Sequence, residues 1–184
     1  MSILITRHGQ TDWNVEHRVQ GQADIDLNET GRKQAEEVRE RLLGESIDLI
    51  ISSPLKRAKH TADAINRGRN IRILYDDRIA ERNFGVLEGK RREDFDFREF
   101  WSYERNVQYE RAEDIRTFFS RVYGFLEDIG RTYGGKNILL VAHGGVSIPV
   151  NCYFRGIPKT DDLYCLALEN CQYAKYEFDK REQK

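Results

Sequence analysis

Short apolar-rich runs alternate along this chain with longer stretches whose apolar residues recur every three or four positions. The runs are Ile3-Leu4-Ile5, Ile47 to Ile51, Ile71 to Tyr75 and Ile138 to Ala142. Their length and near-continuous hydrophobicity predict strands covered on both faces of a sheet. Between them, Ala35, Val38, Leu42 and Leu43 repeat at helical spacing, as do Leu55, Ala58, Ala62 and Ile65. The longest stripe runs from Ile115 through Phe118, Phe119, Val122 and Leu126 to Ile129. Local chemistry supports these elements. Asn28 offers a helix N-cap with Glu29 in the first turn, and Gly44 closes that helix. Ser53-Pro54 reads as N-cap and first helical position, and Gly134-Gly135 stops the long helix. A short helix is predicted near Val146 with Pro149 in its first turn. Leu166 to Leu168 and Tyr173 to Phe178 are predicted late strands, the last one alternating and so suited to an edge. The polar stretch from Arg7 to Asn28 reads as loop and turn.

Strands alternating with helices predict an α/β fold: a three-layer α/β/α sandwich around a mostly parallel sheet with an antiparallel edge strand. At 184 residues, without repeat or linker, the chain is expected to form one domain over 1–184. Composition narrows the function. Thirty basic residues against 31 acidic ones argue against bulk binding to nucleic acid or to an anionic membrane. Cys152, Cys165 and Cys171 are odd in number and lack metal-type spacing, so they are expected as free thiols. The N-terminal residues do not read as a signal peptide, and no apolar run approaches the ~20 residues of a membrane span. A cytoplasmic protein without membrane or nucleic-acid partners is the expectation.

The candidate chemistry sits at strand ends. Arg7-His8-Gly9 follows the first predicted strand and His143-Gly144-Gly145 the fourth. Ligands of open α/β sheets bind beyond the carboxyl ends of strands, so both imidazoles should enter one crevice. Arg57 lies in the first turn of the helix after the second strand, at the positive end of its dipole. Two histidines, two arginines and a helix N-terminus suit a doubly charged anion, and phosphate is the natural candidate. No His, Cys or carboxylate cluster has metal-ligand spacing, so neither metal nor other cofactor is expected.

Five ordered blocks then carry a resemblance. They are Arg7-His8-Gly9-Gln10-Thr11-Asp12-Trp13-Asn14; Gln20-Gly21 with Asp26-Leu27, Gly31 and Gln34-Ala35; Ser52-Ser53-Pro54-Leu55-Lys56-Arg57-Ala58 with Thr61-Ala62; Ala80-Glu81-Arg82-Asn83-Phe84-Gly85 with Glu88-Gly89; and Val141-Ala142-His143-Gly144-Gly145. In order and content they resemble the histidine phosphatases, the superfamily that includes cofactor-dependent phosphoglycerate mutase. The resemblance implies that His8 takes the phosphoryl group as a phosphohistidine, which water then hydrolyses. Arg7, Arg57 and His143 would surround the phosphoryl oxygens, Asn14 and the backbone near Gly144 would add neutral donors, and Glu81 would serve as general acid and then base. Gln20, Gly21 and Arg82 would lie on the substrate side, Arg82 contacting a carboxylate or second phosphate.

The segment 90–112 is expected to be a short cap. It is rich in aromatics (Phe95, Phe97, Phe100, Trp101, Tyr103, Tyr109) where the mutases carry a longer basic insert. That difference, and Gly145 where mutases commonly carry asparagine, favour a phosphatase of small phosphorylated metabolites, with an apolar or aromatic group placed against Phe95 to Tyr109. A phosphoglycerate mutase and a non-catalytic phospholigand-binding module are the alternatives, and the oligomeric state stays open. Bland readings go to His17 as a loop residue, His60 as an ordinary helix residue, Lys90-Arg91-Arg92 as a solvated charge run and Lys180 to Lys184 as a frayed tail.

Overall fold

The computed structural model describes residues 1–178, so the expectation for the tail lies outside the described residues. Five strands form one sheet: β1 (Ser2–Arg7), β2 (Leu49–Ser52), β3 (Ile73–Tyr75), β4 (Asn137–Ala142) and β5 (Tyr173–Glu177). Their order is β3-β2-β4-β1-β5. All pairs are parallel except β5, which runs antiparallel to β1 at the edge.

The pleat explains the layers. Ile3, Ile5, Ile138 and Leu140 join a core with Phe118, Phe119, Val122 and Leu126. Leu4, Leu139, Val141 and Ile50 project the other way, onto Val38, Ala58, Ala62 and Ile65. Helices α2 (Glu29–Arg41) and α3 (Lys56–Asn66) therefore cover one face, and α5 (Ile115–Thr132) and α6 (Gly144–Arg155) the other. Each fully buried aliphatic or phenyl side chain in these layers contributes about 1.5–3 kcal/mol relative to exposure. The chain has the three-layer α/β arrangement that its periodicity predicts.

Four local expectations are corrected. The stretch after Arg7 contains a helical turn, α1 (Asp12–Val15), closed by a capping box in which Thr11 and Asn14 bond each other's backbone N–H. Helix α3 begins at Lys56 rather than Pro54, with Leu55 at its N-cap; the Ser53 hydroxyl accepts the Leu55 N–H at 3.3 Å and also meets His143. Pro149 lies inside α6, not in its first turn. That helix is buried all round from Gly144 to Val150, and its packing outweighs the one hydrogen bond a proline cannot make. No strand forms at Leu166 to Leu168. The Leu168 N–H donates to Ser147 Oγ at 2.9 Å and its carbonyl accepts from Arg7 Nη1 at 3.0 Å, so side chains take the groups a ladder would need. A 3-10 turn, Leu163–Leu166, precedes it.

Candidate active site

Sheet register sets the centre of the site. Arg7 pairs with Ala142 across β1 and β4, so the next residue of each strand, His8 and His143, must emerge side by side. Their ring centroids are 5.2 Å apart, nearly edge-on. His8 Nδ1 lies 2.7 Å from the Gly9 carbonyl. A carbonyl can only accept, so that nitrogen carries the proton and Nε2 keeps its lone pair. His143 Nε2 lies 2.7 Å from Ser53 Oγ, beyond the end of β2. Burial, reinforced by the neighbouring arginines, holds both imidazoles well below the usual 6.5, so both are neutral at neutral pH.

Arg57 ties the two rings together. Its Nε–H reaches His8 Nε2 and His143 Nδ1, each at 3.2 Å. Its terminal nitrogens donate to the Ala23 and Gly21 carbonyls at 2.7 Å each. The loop after Gln20 thus aims a fully buried guanidinium. Burial lowers Arg57 to about 10, which leaves it charged at neutral pH. Arg7 is held by the Leu168 carbonyl, and its buried Nε has no partner among the described residues.

Glu81 faces this cluster from a different layer. Its Oε1 accepts from the Arg82 N–H at 2.8 Å and its Oε2 from the Gly145 N–H at 3.0 Å. A side chain at Gly145 would overlap Glu81 Oε1 and the Trp101 ring, so this approach requires glycine. Burial raises the carboxyl above its ordinary value, although the two N–H groups, Arg57 and Arg7 pull the other way.

The resulting pocket encloses about 380 Å³ including its open mouth. Arg7, His8, Asn14, Gln20, Gly21, Arg57, Glu81 and Gly144 all line it. So do two arginines that sequence reasoning left out, Arg18 and Arg92. Four guanidinium groups against one carboxylate make the pocket strongly cationic. Asn14 Oδ1 is already engaged by the Thr11 N–H and hydroxyl and by Asn170 Nδ2, which leaves its own amide N–H₂ as the available donor. Among the described residues, no group of three or more His, Cys, Asp and Glu is placed to hold a metal ion. No helix there is long and apolar enough to cross a membrane.

The sequence profile of the histidine phosphatase superfamily, branch 1, matches residues 3–184. The chain belongs to the histidine phosphatase superfamily. Among curated relatives, the "Uncharacterized phosphatase PhoE" of Bacillus subtilis is 39% identical over 78% of this chain and 72% of its own length. "Phosphoserine phosphatase 1" of Hydrogenobacter thermophilus is 29% identical over 98% and 88%. GpmB of Salmonella choleraesuis, named as a probable phosphoglycerate mutase, is 33% identical over 98% and 86%. The solved structure of YhfR from Bacillus stearothermophilus superposes with a TM-score of 0.87 at 30% identity, covering 97% of this chain and 92% of that one.

As a histidine phosphatase, the chain departs from several expectations drawn from its sequence. Arg82 does not reach the pocket. It is fully buried on the far side, stacked 3.6 Å over the Phe100 ring, with its guanidinium donating to the Phe100 and Glu113 carbonyls. Only its backbone N–H serves Glu81. The aromatic segment offers no open apolar wall either. Phe100 and Trp101 are core residues, and Phe95, Tyr103 and Tyr109 pack against that core. Phe97 alone of the six lines the pocket, and there it stacks on Arg92.

The run Lys90-Arg91-Arg92 is not uniformly solvated. The Arg91 guanidinium pairs with Glu93, and its backbone N–H donates to Asp94. Arg92 instead lies between the Phe97 and Tyr164 rings, donates to the Tyr164 hydroxyl at 2.8 Å, and keeps a buried Nε without a partner among the described residues. Its sequence signal was the acid pair that follows, which neutralises the neighbour and leaves Arg92 over. His60 is more than a bland helix residue, since its Nδ1 lies 2.5 Å from Asp26 Oδ1. Ser53 and Asn170, which hold His143 and the His8 carbonyl respectively, carried no distinguishing signal.

Proposed function

We propose that this histidine phosphatase hydrolyses small phosphate monoesters through a phosphohistidine on His8, without a metal. The observation that supports this most directly is the fixed tautomer of His8. Its unprotonated Nε2 is turned toward Arg57, in a ring of cations with one protonatable carboxyl, Glu81, beside it. The phosphoryl group would displace Arg57 Nε–H from His8 Nε2, and its oxygens would take up donors from Arg57, Arg7 and Asn14. His8 Nε2 then attacks phosphorus as the ester bond breaks, and Glu81 gives its proton to the leaving oxygen. In the second half, Glu81, now a carboxylate, removes a proton from the water that cleaves the phosphorus–nitrogen bond. Positioned positive charge does the work that a metal ion does in other phosphoryl-transfer sites. Wild-type protein mixed with an aryl phosphate in the presence of a chelator is expected to release phosphate. Quenched at alkaline pH, where the phosphorus–nitrogen bond persists, it should show one phosphoryl adduct on the peptide carrying His8 by mass spectrometry. Release that stops with the chelator would sink the metal-free reading.

The substrate reading moves from an aromatic group to an anionic one. Arg92 is aromatic-stacked and without an acidic partner among the described residues, so it suits a carboxylate or second phosphate on the alcohol portion. Arg92→Ala is expected to raise KM about tenfold for a phosphate monoester carrying a carboxylate, and little for a neutral one, from the loss of one charge-assisted contact. Equal effects on both, in steady-state assays, would remove Arg92 from recognition. Arg92 and the other added lining arginine, Arg18, with the likeness to GpmB, favour a second reading as a phosphoglycerate mutase. That reading calls for isomerisation stimulated by a bisphosphorylated primer, whereas the hydrolytic one calls for phosphate release alone.

A further inference from the structure

Arg121 lies on α5, outside the pocket, yet its guanidinium is spent on the chain that carries Glu81. Nη1 donates to the Arg78 carbonyl at 2.7 Å and the Ala80 carbonyl at 3.0 Å, and Nη2 to the Glu81 carbonyl at 3.4 Å. Nε and Nη2 also chelate the Glu113 carboxylate at 2.9 and 2.8 Å. These contacts use all five N–H groups that an arginine has. The pair is shielded, with side-chain exposures of 19% and 13%, so it is not a loosely solvated surface bridge. Glu113 closes the frame from behind. Its N–H donates to the Asn83 carbonyl at 2.9 Å, and its own carbonyl accepts Arg82 Nε at 2.8 Å.

The geometry around Glu81 gives this frame a use. Ala80 is extended and the residues from it to Phe84 lie in no helix or sheet ladder, so nothing in regular secondary structure fixes the direction of this segment. The carboxyl must nevertheless meet the Gly145 N–H on α6 with one oxygen and the Arg82 N–H with the other. A shift of that main chain would pull the carboxyl from the Gly145 N–H, the contact that comes from another element, and swing the proton away from the leaving oxygen, where small misplacement is costly.

We propose that Arg121, braced by Glu113, is a positioning residue for proton transfer by Glu81, holding the carbonyls of Arg78, Ala80 and Glu81 so that the carboxyl faces the leaving group. This rests on Glu81 being the proton donor. The two assignments separate through leaving-group dependence. Benzyl phosphate releases an alkoxide that must be protonated, and 4-nitrophenyl phosphate releases a stable phenolate that need not be. The quantity to compare is kcat/KM, which reports only the steps up to alcohol release and so excludes hydrolysis of the phosphoenzyme. The ratio of kcat/KM for the two esters is independent of the active fraction of a sample, so partial unfolding does not move it. Glu81→Gln is expected to lower that ratio about 100-fold. Arg121→Gln should lower it in the same sense by about tenfold, with Arg121→Lys failing to restore it, since one ammonium cannot span three carbonyls and a carboxylate. Glu113→Gln, the gentler change, should follow at smaller amplitude. An Arg121→Gln or Glu113→Gln protein that loses activity equally on both esters, beside a selective Glu81→Gln, overturns the positioning role alone. An unselective Glu81→Gln overturns the proton-donor reading and this proposal with it.

Discussion

His8→Ala is expected to lose phosphate-ester turnover by at least roughly 10⁴-fold, because nothing else in the pocket can take the phosphoryl group. The neighbouring imidazole, His143, has both nitrogens engaged, one by Arg57 and one by Ser53. The remaining polar pocket groups are arginines, amides, the Tyr164 hydroxyl, which accepts from Arg92, and the Glu81 carboxyl, whose two oxygens accept from the Arg82 and Gly145 N–H groups. Anion binding should survive the change. Arg57 stays anchored by the Gly21 and Ala23 carbonyls, and its Nε–H is relieved of one imidazole partner. Inorganic phosphate or vanadate should therefore bind the variant at least as well as the wild type in calorimetry, while the covalent adduct disappears. Turnover retained within about tenfold would identify another nucleophile, since removing the true one does not leave so much. Loss of anion binding together with turnover would instead make His8 a structural element of the phosphate clamp.

How far these residues were legible depends on what each position records. Ile3-Leu4-Ile5 and Ile138 to Ala142 announce strands because burial on both faces leaves no room for polar residues. The residue after each strand can then be placed at the sheet's carboxyl end without knowing the topology. That placement reaches His8 and His143, while Arg57 follows from the first turn of the helix after the second strand. Asn28 capped its helix as expected because capping is a local exchange between neighbours. Side-chain direction in irregular segments is another matter. Glu81 and Arg82 are adjacent, and each suits an anion site, yet one faces the pocket and the other is stacked on Phe100. The difference is set by Gly145 and Trp101 on one side and Glu113 on the other, none of them near in sequence. Ser53 misled for a related reason. Ser-Pro is a sound helix start by itself, and the hydroxyl does take the Leu55 N–H, but it is shared with His143, a contact that only the fold reveals. Arg92 sits among charges that look solvated until the fold shows which acids are already paired, and Arg121, within an apolar helix stripe, meets its carbonyl partners from a distant segment.

Arg57 is the second residue whose loss should be severe, and its pH signature distinguishes it from a structural arginine. Arg57→Ala is expected to lower kcat/KM about 10³-fold, the scale seen when one essential donor to a transferring group is removed. Lysine should recover little, since a point charge cannot bond two carbonyls and bridge two imidazoles. Truncation also removes the Arg57 donor from the buried Gly21 carbonyl, at roughly 1–3 kcal/mol, which a thermal melt would register. The acid limb carries the mechanistic information. His8 is competent as neutral imidazole, and burial first, then Arg57 and Arg7, depress its proton affinity below the usual 6.5. The wild-type nucleophile therefore remains unprotonated on acidification past that value. Without Arg57 one depressing charge is gone, the His8 pKa climbs back toward 6.5, and protonation removes the nucleophile at a higher pH. The acid limb of kcat/KM should accordingly move upward in the variant, measured on one ester so that the substrate's own titration is common to both proteins. A limb that stays in place while the rate falls would mean that Arg57 binds phosphate without setting the charge state of His8, and the nucleophile's neutrality would then be owed to burial and Arg7 alone.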